Sequence, residues 1–223
     1  MRGWCIHAAY FKSILRETIY GDIPLVPDDP RRVLVKHQIE QALKPLVGLR
    51  LWGPARVLHR LLIQCGEPGP APTRLDPTRE VGEFAIYVSC AWRLIHGDRL
   101  VVGSTDCYWP SDLDHDMKVF DWKQVGVTWW DKCMETFFQE RAATLPRIEA
   151  VSADVFGGFR LSCSEEVVLE VFPNFTCAEF PWNKKERVRF WRLLSRWTLG
   201  PEFVVGTSGV LTRPPRGNVK PLS

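Results

Sequence analysis

The run Glu83-Phe84-Ala85-Ile86-Tyr87-Val88-Ser89-Cys90-Ala91-Trp92-Arg93-Leu94, followed by Arg99-Leu100-Val101-Val102-Gly103-Ser104-Thr105-Asp106, carries the clearest structural signal in the chain. Phe84, Ile86, Val88, Cys90, Trp92 and Leu94 occupy alternate positions, the period of a strand with one buried face. Ile95-His96-Gly97-Asp98 supplies a turn and Leu100-Val101-Val102 begins a second strand. The pair is predicted to be a hairpin that the rest of the chain covers or extends.

Downstream, the period changes. From Asp121 or Trp122 a helix is expected, because Trp130, Cys133, Met134, Phe137, Phe138 and Arg141 recur at three and four residues, ending near Leu145-Pro146. Strands then resume at Ile148–Ala153, Phe156–Ser162 (with Gly157-Gly158 permitting a bend), Val167–Pro173, Phe190–Leu194 and Glu202–Val205, the last two closing the set. Gly206-Thr207-Ser208-Gly209 is a turn signal. Upstream, Asp29-Pro30 is a helix-start signature, and Val33, Leu34, His37, Ile39, Leu43 and Leu46 trace one helical face up to Gly48. Leu49–Pro54 reads as a turn, and Arg56–Gln64 as one strand, with helix as its alternative. The fold class is therefore α+β: a mostly antiparallel sheet with one long amphipathic helix packed on it and a short N-terminal helix. The expected organisation is a loosely attached arm over residues 1–32, one α+β domain over 33–211 and a disordered basic tail over 212–223.

Composition sets limits. With 45% hydrophobic residues, including 10 Trp and 12 Phe among 223 positions, the chain can bury a sizeable core. It has no apolar run long enough for a membrane-spanning helix and no signal-peptide pattern at its start, so a cytoplasmic protein is expected. Seven scattered cysteines without a Cys-x-x-Cys pair imply free thiols rather than a disulfide framework or zinc site. The net charge of +3 resides in the ends: residues 212–223 carry +3 and residues 1–32 carry +1, leaving −1 between them. A general affinity for nucleic acid is not indicated.

Several segments, taken in order, resemble the motifs of a family of small, mostly free-standing bacterial proteins of unknown function. They are Gly82-Glu83-Phe84-Ala85-Ile86-Tyr87-Val88-Ser89-Cys90-Ala91-Trp92-Arg93, Val102-Gly103-Ser104, Phe156-Gly157-Gly158, Leu169-Glu170-Val171-Phe172-Pro173, Trp191-Arg192-Leu193-Leu194 and Phe203-Val204-Val205. The resemblance spans residues 40–210 and implies the domain but no catalytic residue. Tyr87 stands where that family tends to carry His, and Leu194 where it carries Phe, so a role resting on that His would be missing here. Some such proteins resemble immunity proteins of contact-dependent toxin systems, which implies by analogy a protein-binding role.

Three clusters are candidate sites. Asp112, Asp114, His115 and Asp116, beside Trp109, form the richest polar group. The carboxylate spacing imitates a calcium loop, but Met117 and Lys123 stand where that loop needs Gly and Glu. A magnesium or manganese site is the remaining metal alternative, and a solvated acidic loop the plainer one. Arg93 and Arg192 each follow a Trp and are candidate anion-binding groups, unless a local acid such as Glu83 or Glu170 engages them. The stretch 184–196 interleaves Lys184, Lys185, Arg187, Arg189, Arg192 and Arg196 with Phe190 and Trp191, as a single-stranded nucleic-acid binder would. No nucleophile elbow, Walker loop or dinucleotide fingerprint occurs, so nothing argues positively for an enzyme or a cofactor.

The expectation is a non-enzymatic protein that binds one protein partner, immunity- or antitoxin-like, and blocks it sterically through Trp109, Asp112, Asp114, His115 and Asp116. The alternatives are a metal-dependent hydrolase using Asp112, Asp114, His115 and Asp116, or a nucleic-acid binder using 184–196.

Overall fold

In the computed structural model, which describes residues 30–71, 76–112, 114, 116–175, 179–180, 183–187, 189–195, 202–207 and 209–213, the sheet is two sheets. One has six strands in the order β1 (Leu51–Val57), β2 (Arg60–Cys65), β5 (Phe84–Val88), β13 (Arg189–Ser195), β14 (Glu202–Gly206) and β15 (Gly209–Arg213). The other has five, in the order β7 (Arg99–Gly103), β6 (Ala91–His96), β10 (Val167–Phe172), β9 (Phe159–Cys163) and β8 (Ile148–Ala153). Two short pairs, β3 (Gly69–Pro70) with β4 (Glu80–Val81) and β11 (Glu179–Phe180) with β12 (Asn183–Arg187), complete the strands. Among the described residues the α-helices are α1 (Pro30–Leu43) and α2 (Trp129–Glu140). The chain divides at Pro30, and beyond that residue these elements lie in the unit from Arg31 to Ser223. The expected arm 1–32 falls outside the described residues except for its last three, which open α1. Thr212 and Arg213, assigned to the tail, are instead the end of β15.

The alternating run crosses from one sheet to the other. β5 pairs with β2 and β13, whereas β6 pairs with β7 and β10. Between them the amides of Ser89 and Cys90 both donate to Phe190 O, at 2.7 and 3.2 Å, which bends the chain without leaving a donor unpaired. Ile86, Val88, Cys90, Trp92 and Leu94 are nevertheless all buried, because both sheets face one core. Side-chain alternation survives a change of hydrogen-bonding partner, so the expected single strand looked continuous.

Trp191 ties the sheets together. Its ring packs edge-on to Phe159 of the opposing sheet at 4.7 Å, and its indole N–H donates to Gly157 O at 2.7 Å. The turn that offers this carbonyl is built by Asp154, whose Oδ1 accepts from the amides of Phe156 (2.7 Å) and Gly158 (2.9 Å). Gly157 has φ +96°, a conformation that favours glycine. A second join runs from Arg50 to Arg147, where Leu51 N donates to Pro146 O at 2.8 Å and Ile148 N to Leu49 O at 2.9 Å.

Several expected boundaries move. The strand expected over Arg56–Gln64 is a hairpin turning at Leu58, which takes φ +58° without being glycine. Gly53-Pro54, expected to turn the chain, is an irregularity inside β1. Helix α2 starts at Trp129 rather than Asp121 or Trp122 and has 12 residues, fewer than the 14 of α1. The expected order of one long helix and a short N-terminal one is thus reversed. Ile39, Leu43 and Leu46 of the expected face are fully buried, Leu46 in a 3-10 turn just past α1, whereas Val33, Leu34 and His37 are exposed. No helix of the described residues is long and apolar enough to cross a membrane.

Gly82 sits where two backbones meet: its amide donates to the buried Gln64 Oε1 at 3.0 Å, and a Cβ there would lie 2.5 Å from Cys65 O. Gly82→Ala is therefore expected to cost roughly 1–3 kcal/mol in urea unfolding. Gly103→Ala, whose Cβ would meet nothing closer than 3.8 Å, is expected to stay within about 0.5 kcal/mol of wild type.

Candidate functional site

The loop from Asp106 to Val127 rests on one buried residue. Arg56 of β1 sends Nε to Asp131 Oδ1 and Nη2 to Asp131 Oδ2, both at 2.9 Å. Its Nη1 reaches Leu58 O (3.0 Å) and Trp122 O (2.8 Å), and its Nη2 also donates to Gln124 O. One guanidinium thus joins an edge strand, the first turn of α2 and the last part of the loop. Its side chain is 2% exposed.

Asp131 is equally committed. Thr128 caps α2, its Oγ1 accepting from Asp131 N at 3.2 Å, and Asp131 Oδ2 accepts from Thr128 N (3.1 Å), Thr128 Oγ1 (2.8 Å) and Gly126 N (3.0 Å). Burial pushes the Asp131 carboxyl up, but bonds from Arg56 and Thr128 hold it below its ordinary value. A charge pair this far from water repays its desolvation only when its polar groups are hydrogen-bonded, and here the guanidinium makes five bonds and both carboxylate oxygens accept. Thr128-x-x-Asp131 is a capping-box pattern legible in the sequence; nothing in the sequence points to Arg56 as its partner.

At its start the loop is held by backbone bonds from Trp129 N to Trp109 O (2.7 Å) and Ser111 N to Val127 O (2.8 Å). Tyr108 packs edge-on to Trp122 at 5.0 Å. The expected site residues lie on its surface. Trp109 is 58% exposed, and Asp112, Asp114 and Asp116 are exposed. His115 lies outside the described residues. Asp112 Oδ1 accepts from Asp114 N (3.1 Å), Asp116 Oδ1 from Lys118 N (2.9 Å) and Asp121 Oδ1 from Lys123 N (3.0 Å). Each carboxylate turns its own backbone. Among the described residues no three His, Cys, Asp or Glu side chains gather as metal ligands.

The two candidate arginines are engaged by acids. Glu170 lies between Arg93 and Arg160, one on each neighbouring strand; its Oε1 meets Arg160 Nη1 at 2.7 Å and its Oε2 meets Arg93 Nε. Glu83, the other expected partner of Arg93, accepts instead from the Glu67 amide. Arg192 pairs with Glu202 at 2.8 Å and stacks 4.4 Å from the Tyr87 ring. Of the basic stretch 184–196, the side chains before Arg189 and Arg196 lie outside the described residues. The five described cysteines are free, and burial pushes the Cys90 and Cys163 thiols up to about 12, far from nucleophilic.

Among the described residues a concavity lies on each flank of α2. A groove of about 620 Å³ between β1 and α2 is walled by Trp52, Pro54, Trp130, Met134 and Phe138. A cleft of about 530 Å³ opens between the β6–β7 hairpin and the other side of α2. Comparisons with known protein families, curated proteins and solved structures give no match to this chain.

Replacing one partner of the buried pair leaves the other charged and unpaired. Asp131→Asn is expected to cost roughly 3–5 kcal/mol at pH 7 in urea unfolding. Because the folded carboxyl titrates below the ordinary 3.8, its contribution is complete above that value and disappears as pH falls through the folded one. The gap between wild type and Asp131→Asn should therefore narrow below about pH 4. A gap that stays constant down to pH 2 would rule out an ionised pair as its source.

Proposed function

We propose that the protein is a non-enzymatic, cytoplasmic binding protein that covers one protein partner with the loop Asp106–Val127, as immunity or antitoxin-like proteins do. The observation that carries this reading is that an anchored loop exposes large apolar side chains. Trp109, Met117, Val119 and Val125 are 54–79% exposed while the loop's ends are pinned by Arg56 and by backbone bonds to Thr128 and its neighbours. Ordering a segment costs conformational entropy, and an apolar side chain held in water recovers none of it. A partner that buries those groups would gain a preorganised anchor.

The loop's charge suggests the partner's chemistry. The loop carries Asp106, Asp112, Asp114, Asp116 and Asp121 against Lys118 and Lys123, so it is acidic beside its apolar anchors and fits a basic protein surface. Free thiols accord with a reducing compartment. The motifs that resemble the uncharacterised bacterial family support the same reading by analogy. A hydrolase reading finds less support, because the described aspartates are spent on Asx turns.

The test is a pull-down from the native host with the full chain as bait. One near-stoichiometric partner is expected, lost in the double variant Trp109→Ala/Asp114→Asn with an unchanged melting temperature. Truncating a central aromatic anchor should weaken binding by at least about 2 kcal/mol. A partner retained at full affinity by that variant would remove the loop from the interface.

A further inference from the structure

The cleft between the β6–β7 hairpin and α2 has a different character from the acidic loop. Two cations on its helical wall are seated on aromatic rings: Lys132 Nζ lies 5.2 Å from the Trp129 ring centre, and the Arg141 guanidinium 4.0 Å from that of Phe137. Arg99 and His96 stand on the hairpin wall. Arg141 is already compensated, by Glu140 at 3.5 Å and Glu165 at 3.9 Å, and its Nη2 contacts His96 at 3.3 Å. Arg99 and Lys132 carry no ion pair among the described residues. The cleft therefore holds two positive charges without an ion pair among the described residues, one from each wall, with Thr136 also lining it.

We propose that this cleft binds a small molecule through a terminal phosphate. A phosphate monoester carries close to two negative charges near neutral pH and presents several acceptor oxygens, matching two cations better than a single carboxylate does. Arg99 offers a fork of donors and Lys132 a point charge fixed over an indole face, so the anion meets groups that need little reordering. The volume of about 530 Å³, bounded by helix and hairpin, lies in the range of metabolite-sized pockets. Glu140, on the cleft wall, and Glu165 both pair with Arg141, and among the described residues no acid pairs with Arg99 or Lys132.

Calorimetric titration of the full chain at low salt with phenyl phosphate tests this. One saturable site is expected, weakened about tenfold by Arg99→Gln and again by Lys132→Gln, since each removes a charge-assisted bond. Phenylacetate, with one charge, should bind more weakly. Both side chains are exposed, so circular dichroism of the variants should match wild type. The proposal is overturned by the absence of saturable heat up to about 10 mM ligand. It is equally overturned by affinity unchanged in the double variant, or by an equal loss in Lys123→Gln, which lies on the acidic loop outside the cleft.

Discussion

The fork that Arg56 makes with Asp131 is the constraint on which the surface of this protein depends. An arginine on an edge strand is ordinarily a solvated group, and here it is withdrawn from water. That is sustainable because the guanidinium spends its donors on one carboxylate and three backbone carbonyls, while the carboxylate collects the amides and hydroxyl of a helix cap. The arrangement fixes where α2 begins. It also fixes where the preceding loop lies, since Trp122 and Gln124 have their carbonyls held from beneath. A hydrophobic pair of similar volume would pack at lower desolvation cost, but it would not specify the path of a loop.

The second organising device is the passage between sheets. The bend at Ser89-Cys90 works because one carbonyl, Phe190 O, accepts both amides, and β13 lies beside it in position to do so. Trp191, the next residue, then reaches across to Phe159 and to the Gly157 carbonyl. Segments far apart in the chain are thereby explained together. The Phe156-Gly157-Gly158 turn exists to offer a carbonyl to an indole, and the Trp-Arg steps put a buried ring and an acid-paired guanidinium on opposite faces of one strand. Arg93 with Glu170 and Arg192 with Glu202 are cross-strand pairs of this kind.

Helix α2 consequently separates two chemically opposed surfaces. Its N-terminal cap is joined to the acidic loop with its exposed Trp109, Val119 and Val125. Its flank toward the hairpin carries cations steadied by aromatic rings. Under the two proposals the first surface would meet a basic macromolecule and the second a small anion, and the helix that joins them has its start held by Arg56.

The sequence by itself determined the α+β class, the strands at β8, β10, β13 and β14, and which side chains face inward along the run from Phe84 to Leu94. These follow from local periodicity, which each residue carries wherever its strand is bonded. It also placed the exposed Trp109 loop, since proline and clustered aspartates admit little else there. Only the tertiary structure decided that one alternating run serves two sheets, because alternation does not record a hydrogen-bonding partner. Only it decided that Leu58, without glycine or proline beside it, turns a hairpin, and that Gly53-Pro54 does not. The burial of Arg56 was likewise invisible, since its partner lies 75 residues away in the chain. An isolated arginine on a strand reads as solvent-facing until a carboxylate and three carbonyls are brought around it, and that convergence is a property of the folded chain.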